Sequence, residues 1–111
     1  MQTITPETLK ERLDNGEKLM LVDVRESWEF SICKIEGAVN INMSDSEKLL
    51  NDLNSDDEIV TICHHGMRSF QVATFLESNG FNNVINLDGG IDLWAKTIDS
   101  DMAQYLSLIH I

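Results

Sequence analysis

The chain has 111 residues, 42% of them apolar and 24% charged, with one proline and two cysteines. That is one domain with enough apolar residues for a core, and it excludes a disordered chain, a disulfide-framed scaffold and a membrane span of ~20 apolar residues. Eight Lys and Arg against 19 Asp and Glu leave a formal net charge of −11, which argues against nucleic acid and anionic membranes as partners, because a phosphate backbone is gripped by basic patches.

The N-terminal stretch MQTITPETLK has no basic region followed by an apolar one, so no secretory leader is expected and the expected compartment is the cytoplasm. Within it, Thr5-Pro6-Glu7 opens a helix, with threonine able to cap it and proline suited to the first turn, and Asn15-Gly16 ends it. LMLVDV (19–24) is a continuous apolar run closed by Arg25, the pattern of a strand buried on both faces. ESWEF reads as a short helix and AVNIN (38–42) as a second strand. Ser44 to Glu47 has capping-box spacing, and Leu49, Leu50 and Leu53 give the helix that follows an apolar stripe. EIVTIC (58–63) is a third strand. From Ser69 to Asn79 the residues Val72, Ala73 and Leu76 share one helical face, with Gly80 placed as the terminating glycine. NVINL (83–87) is a fourth strand, and Asp88-Gly89-Gly90 turns the chain into a helix carrying Ile91, Leu93 and Trp94. Met102, Tyr105, Leu106 and Ile109 recur at helical spacing, so residues 1–98 are expected to form the domain and 99–111 a packed C-terminal helix.

Strands alternating with helices predict an α/β fold, a mostly parallel sheet of four to five strands with helices on both faces. Such sheets bind ligands beyond the carboxyl ends of their strands, which is where Cys63 falls. The segment Cys63-His64-His65-Gly66-Met67-Arg68-Ser69 joins a strand end to a helix start. A tight loop there turns successive backbone N–H groups into one concavity, a nest for an anion, and Gly66 permits the turn. The helix N-terminus adds partial positive charge and Arg68 can add a full one. A cysteine at the centre of such a nest is favoured as thiolate, the nucleophilic form. His64 and His65 can add charge or orient a substrate.

The same loop resembles the active-site loop of the rhodanese, or sulfurtransferase homology, family. The likeness runs from about residue 3 to residue 96 and includes the whole block EIVTICHHGMRSFQVATFLESNGFNNVINLDGGIDLWA. LVDVRESWEF resembles the family's Asp-x-Arg-x-x-x-Glu-aromatic segment through Asp23, Arg25, Glu29 and Phe30. KIEGAVNI resembles its His-Ile-Pro-Gly-Ala-x-Asn-Ile segment through Ile35, Gly37, Ala38, Asn40 and Ile41, but Cys33-Lys34 stands where the family often has Gly-His, and Glu36 replaces the proline. The resemblance implies a sulfurtransferase: Cys63 accepts a sulfane sulfur from thiosulfate or a persulfide, and the loop from His64 through Gly66, Met67 and Arg68 to Ser69 cradles the persulfide or the donor's anionic end. It implies no cofactor and no metal, a small sulfur donor, and a thiol or cyanide-like acceptor.

The acidity adds a second expectation, a sulfur-carrier or interaction module served by a basic sulfur-relay protein. The family comparison implies that phosphatases of the related fold carry a loop one residue longer, so the four residues between Cys63 and Arg68 favour the smaller sulfane sulfur, and a phosphatase or arsenate reductase is the lesser expectation. Asp23 and Arg25 are expected to form a structural ion pair, Cys33 to pack, Trp28 and Trp94 to fill core or rim, and Gly89-Gly90 to turn near the cysteine loop. Arg68 has two destinations open, the anion or an acid on a helix. His64-His65 beside Cys63 lacks a second zinc-type ligand pair, which argues against a metal.

Overall fold

The structure, a computed structural model, describes residues 2–105. In chain order it contains β1 (Gln2–Ile4), α1 (Pro6–Asp14), β2 (Met20–Asp23), α2 (Ser27–Ile32), β3 (Val39–Asn40), α3 (Ser46–Asp52), β4 (Ile59–Ile62), α4 (Met67–Ser78), β5 (Val84–Leu87) and α5 (Gly90–Thr97). The five strands form one sheet in the order β1-β5-β4-β2-β3, and every pairing is parallel.

Side chains alternate across a strand, and here the alternation divides the core in two. Val22, Ile59 and Val84 face one side, where Leu49 and Leu53 from α3 and its C-terminal end join Val72, Ala73 and Leu76 from α4. Leu21, Val60, Ile62, Ile85 and Leu87 face the other, against Leu9 of α1 and Ile91 and Trp94 of α5. The α/β sheet with helices on both faces is therefore as the alternating pattern predicts. β4 lies at the centre of the sheet and is buried along its whole length, so the loop leaving it emerges in the middle of the sheet's carboxyl edge.

Several local details differ from the sequence reading. β1 was not expected: it has three residues, only Ile4 of them buried, too few to display a period. β3 is two residues rather than AVNIN, since beyond Asn40 the chain keeps only isolated bonds, Ile41 N–H to Asp23 O and Met43 N–H to Val24 O. The α3 cap is Asp45, whose side chain accepts from Lys48 N–H, while Ser44 hydrogen-bonds Asn42 Oδ1. The helix α4 starts at Met67, two residues before the expected Ser69. The packed C-terminal helix over 99–111 is not formed by residues 99–105, which follow turns and irregular backbone although Met102 and Tyr105 do pack on the core. The remainder of that expectation lies outside the described residues. No helix among the described residues is long and apolar enough to cross a membrane.

Thr5 performs as expected, accepting from Thr8 N–H with Pro6 as the first helical residue. Leu76 is fully buried between α4 and the sheet. Leu76→Ala is expected to lower unfolding free energy by about 2–5 kcal/mol in urea titration, from lost burial plus the cavity left behind.

Candidate active site

Cys63 is the first residue after β4 and is completely buried. Its Sγ accepts a hydrogen bond from Gly66 N–H at 3.0 Å, and Ser69 Oγ lies 3.3 Å away. Gly66 adopts φ +108°, a left-handed conformation that side chains resist, and caps α4. Behind it, the amides of Met67, Arg68 and Ser69 occupy the first turn of α4, where the helix provides no acceptor. An anion bonded to Sγ therefore faces a helix N-terminus.

The carbonyls on the other side of the loop are fixed as firmly. Ile91 N–H donates to Cys63 O at 2.8 Å and Asp92 N–H to His64 O at 3.0 Å. Because a peptide's N–H points opposite its C=O, this turns the amides of His64 and His65 away from α5. Gly90 permits the approach: a Cβ there would sit 2.3 Å from Cys63 O and 2.6 Å from His64 O. Gly89-Gly90 is thus in direct contact with the cysteine loop.

Asn86 on β5 braces the loop from below, donating from Nδ2 to Gly66 O at 3.0 Å. Its Oδ1 is hydrogen-bonded with Thr61 and Ser69. The single proton of the Ser69 hydroxyl serves Asn86, Gly66 O or Cys63 Sγ one at a time. That rotor can accept from a thiol or donate to a sulfur anion.

Arg68 does not project into the nest. Its Nη1 and Nη2 donate to Oε1 and Oε2 of Glu29 at 2.7 and 2.9 Å, in a pair almost wholly buried. Of the two destinations open to it, the side chain takes the acid on a helix, so the expected use of the Arg68 charge for an anion is not met and only its backbone amide lies at the start of α4 beside the loop. Burial raises the Glu29 carboxyl, but hydrogen bonds from Arg68, Tyr105 and the Glu26 amide outweigh it and hold the group at about 2.

A second buried pair adjoins the first. Arg25 Nε donates to Asp23 Oδ1 at 2.8 Å and Nη2 to Oδ2 at 2.6 Å, both residues being fully buried. Nη2 also reaches Cys33 O and Nη1 reaches the Tyr105 hydroxyl at 2.9 Å. Tyr105 in turn donates to Glu29 Oε2 at 2.7 Å. Cys33 packs in the core on the sheet face opposite the one that holds Cys63.

Met67 is more than half exposed at the mouth of the loop, as is Trp28 on α2, while Trp94 is buried in the core. His64 is buried and stacks on Tyr105, with centroids 4.4 Å apart, while the His65 ring lies tilted against it at 4.1 Å. Burial, followed by the neighbouring His65, pulls the His64 imidazole below its usual value. His65 Nε2 lies 4.0 Å from Asp92 Oδ2, which also accepts from Lys96 at 3.0 Å. Ligand atoms of His64, His65 and Asp92 come within 4.8 Å of one another, so α5 provides the third potential ligand that sequence adjacency did not show.

Sequence reasoning missed Asn86, Asp92 and Tyr105 as site residues and named Glu29 without a partner. Asn86 carried a signal, a polar residue inside the apolar run NVINL. Tyr105 carried none.

Comparison with known proteins matches the Rhodanese-like domain family over residues 5–97. The chain belongs to that family. It is 40% identical to the probable adenylyltransferase/sulfurtransferase MoeZ of Mycobacterium tuberculosis over 93% of its own length and 27% of MoeZ. Against the putative sulfur carrier protein YrkF of Bacillus subtilis it is 41% identical, covering 82% of this chain and 49% of YrkF. Against the putative sulfurtransferase YtwF of the same organism it is 39% identical over 85% of this chain and 90% of YtwF. The rhodanese-like domain thus spans a quarter to a half of the first two relatives and nearly all of the third. Among solved structures, SSP1007 of Staphylococcus saprophyticus superposes with a TM-score of 0.81 at 36% identity, covering 88% of this chain and 97% of that one.

The depressed Glu29 carboxyl has a pH consequence. A group whose folded value lies below its unfolded one stabilises the fold above the unfolded value, and that contribution is lost as pH falls from about 4.5 toward about 2. The contribution at neutral pH is roughly 3 kcal/mol. Glu29→Gln is expected to flatten the stability profile across that acid window and to cost about 3 kcal/mol at pH 7, because Arg68 stays buried without a counter-charge. Urea titrations of both proteins from pH 2 to pH 7 check this.

Proposed function

We propose that this rhodanese-like domain is a sulfurtransferase working through a persulfide on Cys63. The Cys63 thiolate attacks the outer sulfane sulfur of thiosulfate or of a protein persulfide. The sulfur–sulfur bond of the donor breaks and sulfite, or the donor's thiolate, leaves with the bonding pair. A thiol or cyanide then attacks the outer sulfur of the Cys63 persulfide and returns the thiolate. The step is exchange at sulfur and balances without an added oxidant or reductant.

The observation that carries this reading is the Gly66 N–H aimed at Cys63 Sγ from the start of α4. A second sulfur on Sγ would be held by further amides of the same loop, His64 to Ser69, a cradle for a small anion. The relatives named sulfurtransferase support the reaction class.

One feature favours a protein donor over free thiosulfate. With Arg68 bound to Glu29, the nest is built from amide dipoles, and the chain around it carries −11. Such a field repels a divalent anion and attracts a basic protein. The relative named as a sulfur carrier accords with a relay role. The domain therefore accepts sulfur most readily from a basic sulfur-relay protein.

Intact-protein mass spectrometry tests both parts. Wild type is expected to gain one sulfur that cyanide removes, and Cys63→Ser to gain none; loading from a persulfidated protein is expected to be at least about tenfold faster than from equimolar thiosulfate at low salt. Sulfur gain by Cys63→Ser would overturn the chemistry, and faster loading from thiosulfate would overturn the choice of donor.

A further inference from the structure

Tyr105 lies beyond the residues matched by the family and in a segment without helix or strand, yet it reaches one end of the Cys63 loop directly and the other through Glu29. Its ring stacks on His64, the residue after Cys63, at 4.4 Å and 19°. Its hydroxyl donates to Glu29 Oε2, the oxygen that also accepts from Arg68 Nη2 at 2.9 Å. Arg68 sits in the first turn of α4. One side chain thus holds His64 by its face and Arg68 through a shared carboxylate, with the sulfur nest between them.

The hydroxyl is used in both senses, accepting from Arg25 Nη1 and donating to Glu29. It thereby joins the Asp23–Arg25 pair to the Glu29–Arg68 pair in a single buried network. Trp28 meets the ring edge-on at 5.8 Å and fixes its outer side.

We propose that Tyr105 is a positioning residue of the Cys63 loop, so that the segment following the family domain is part of its functional site. Tyr105 acts through His64 and Glu29 and touches no reacting atom. Its consequence for sulfur transfer rests on the assignment of Cys63 above; its hold on the loop does not.

His64 supplies a reporter. Its Nδ1 is buried with no hydrogen-bond partner among the described residues. Burial and then His65 disfavour its charged form, with Arg25 acting the same way, while Asp92 and Glu29 favour it. Removing the Tyr105 ring opens the face of the imidazole to water and removes the burial that opposes its protonation.

The experiment compares wild type, Tyr105→Phe and Tyr105→Ala by amide hydrogen exchange and by NMR titration of His64, assigned with His64→Gln. In Tyr105→Ala, exchange of the 64–69 segment is expected to rise roughly tenfold while β4 keeps its protection, a local opening rather than a global one. The His64 midpoint is expected to rise by about half a pH unit or more, toward the ordinary imidazole value. Tyr105→Phe keeps the ring, so its His64 midpoint is expected to match wild type while exchange of 64–69 rises to a smaller extent. Were Tyr105→Ala to fail to fold, the Tyr105→Phe exchange pattern carries the test alone. Unchanged exchange of 64–69 in the folded variants, or a rise spread evenly over β4 and the loop, would overturn the proposal. Both readouts work on a chain that never takes up sulfur, so failure of the sulfur-transfer reading would be seen separately.

Discussion

The geometry of the Cys63 loop depends on where one guanidinium is placed. Arg68 enters the first turn of α4 and reaches back to Glu29 on α2, through two parallel hydrogen bonds in a nearly dry setting. Such a pair is geometrically specific, and separating it would leave a charge buried without a partner. It therefore ties the start of α4 to α2, and the start of α4 is what faces Cys63 Sγ. The Asp92 and Ile91 amides hold the opposite side of the loop by its carbonyls. Between these anchors the backbone has little freedom, and its amides are organised before any sulfur arrives. Preorganised dipoles stabilise developing charge without reorganisation at the moment of reaction.

The same placement changes how the protein should select its donor. A guanidinium aimed at the substrate would offset much of the protein's own acidity. Committed to Glu29, it leaves recognition in the proposed reaction to neutral groups and to shape, which suits the proposed protein donor. Met67 and Phe70 on α4 and Trp28 on α2 are apolar and substantially exposed, a surface consistent with contact by a protein rather than by a hydrated dianion.

Much of this was legible in the sequence because it is local. A buried strand ending in cysteine, a short loop with one glycine and a helix start lie within consecutive residues, and Asp23 with Arg25 pair across only one intervening residue. The fate of Arg68 was not legible, because its partner is on a different helix and the residues between them carry no mark of their meeting. The role of Asn86 depends on β5 lying beside β4, a fact of sheet order rather than of pattern. Tyr105 was read as one position in a helical stripe; residues 99–105 instead follow turns and irregular backbone, and the half-buried Tyr105 hydroxyl bonds to Arg25 and Glu29. β1 escaped notice because three edge residues cannot show a period.

The central claim is that backbone amides hold the transferred sulfur while Arg68 stays with Glu29. A crystal structure of the persulfide-loaded protein, prepared with thiosulfate or sodium polysulfide, tests it most directly. One added sulfur is expected on Cys63 Sγ within hydrogen-bond distance of the amides of the 64–69 loop, with both Arg68–Glu29 bonds intact. An Arg68 side chain released from Glu29 to grip the sulfur, or the added sulfur on Cys33, would contradict it.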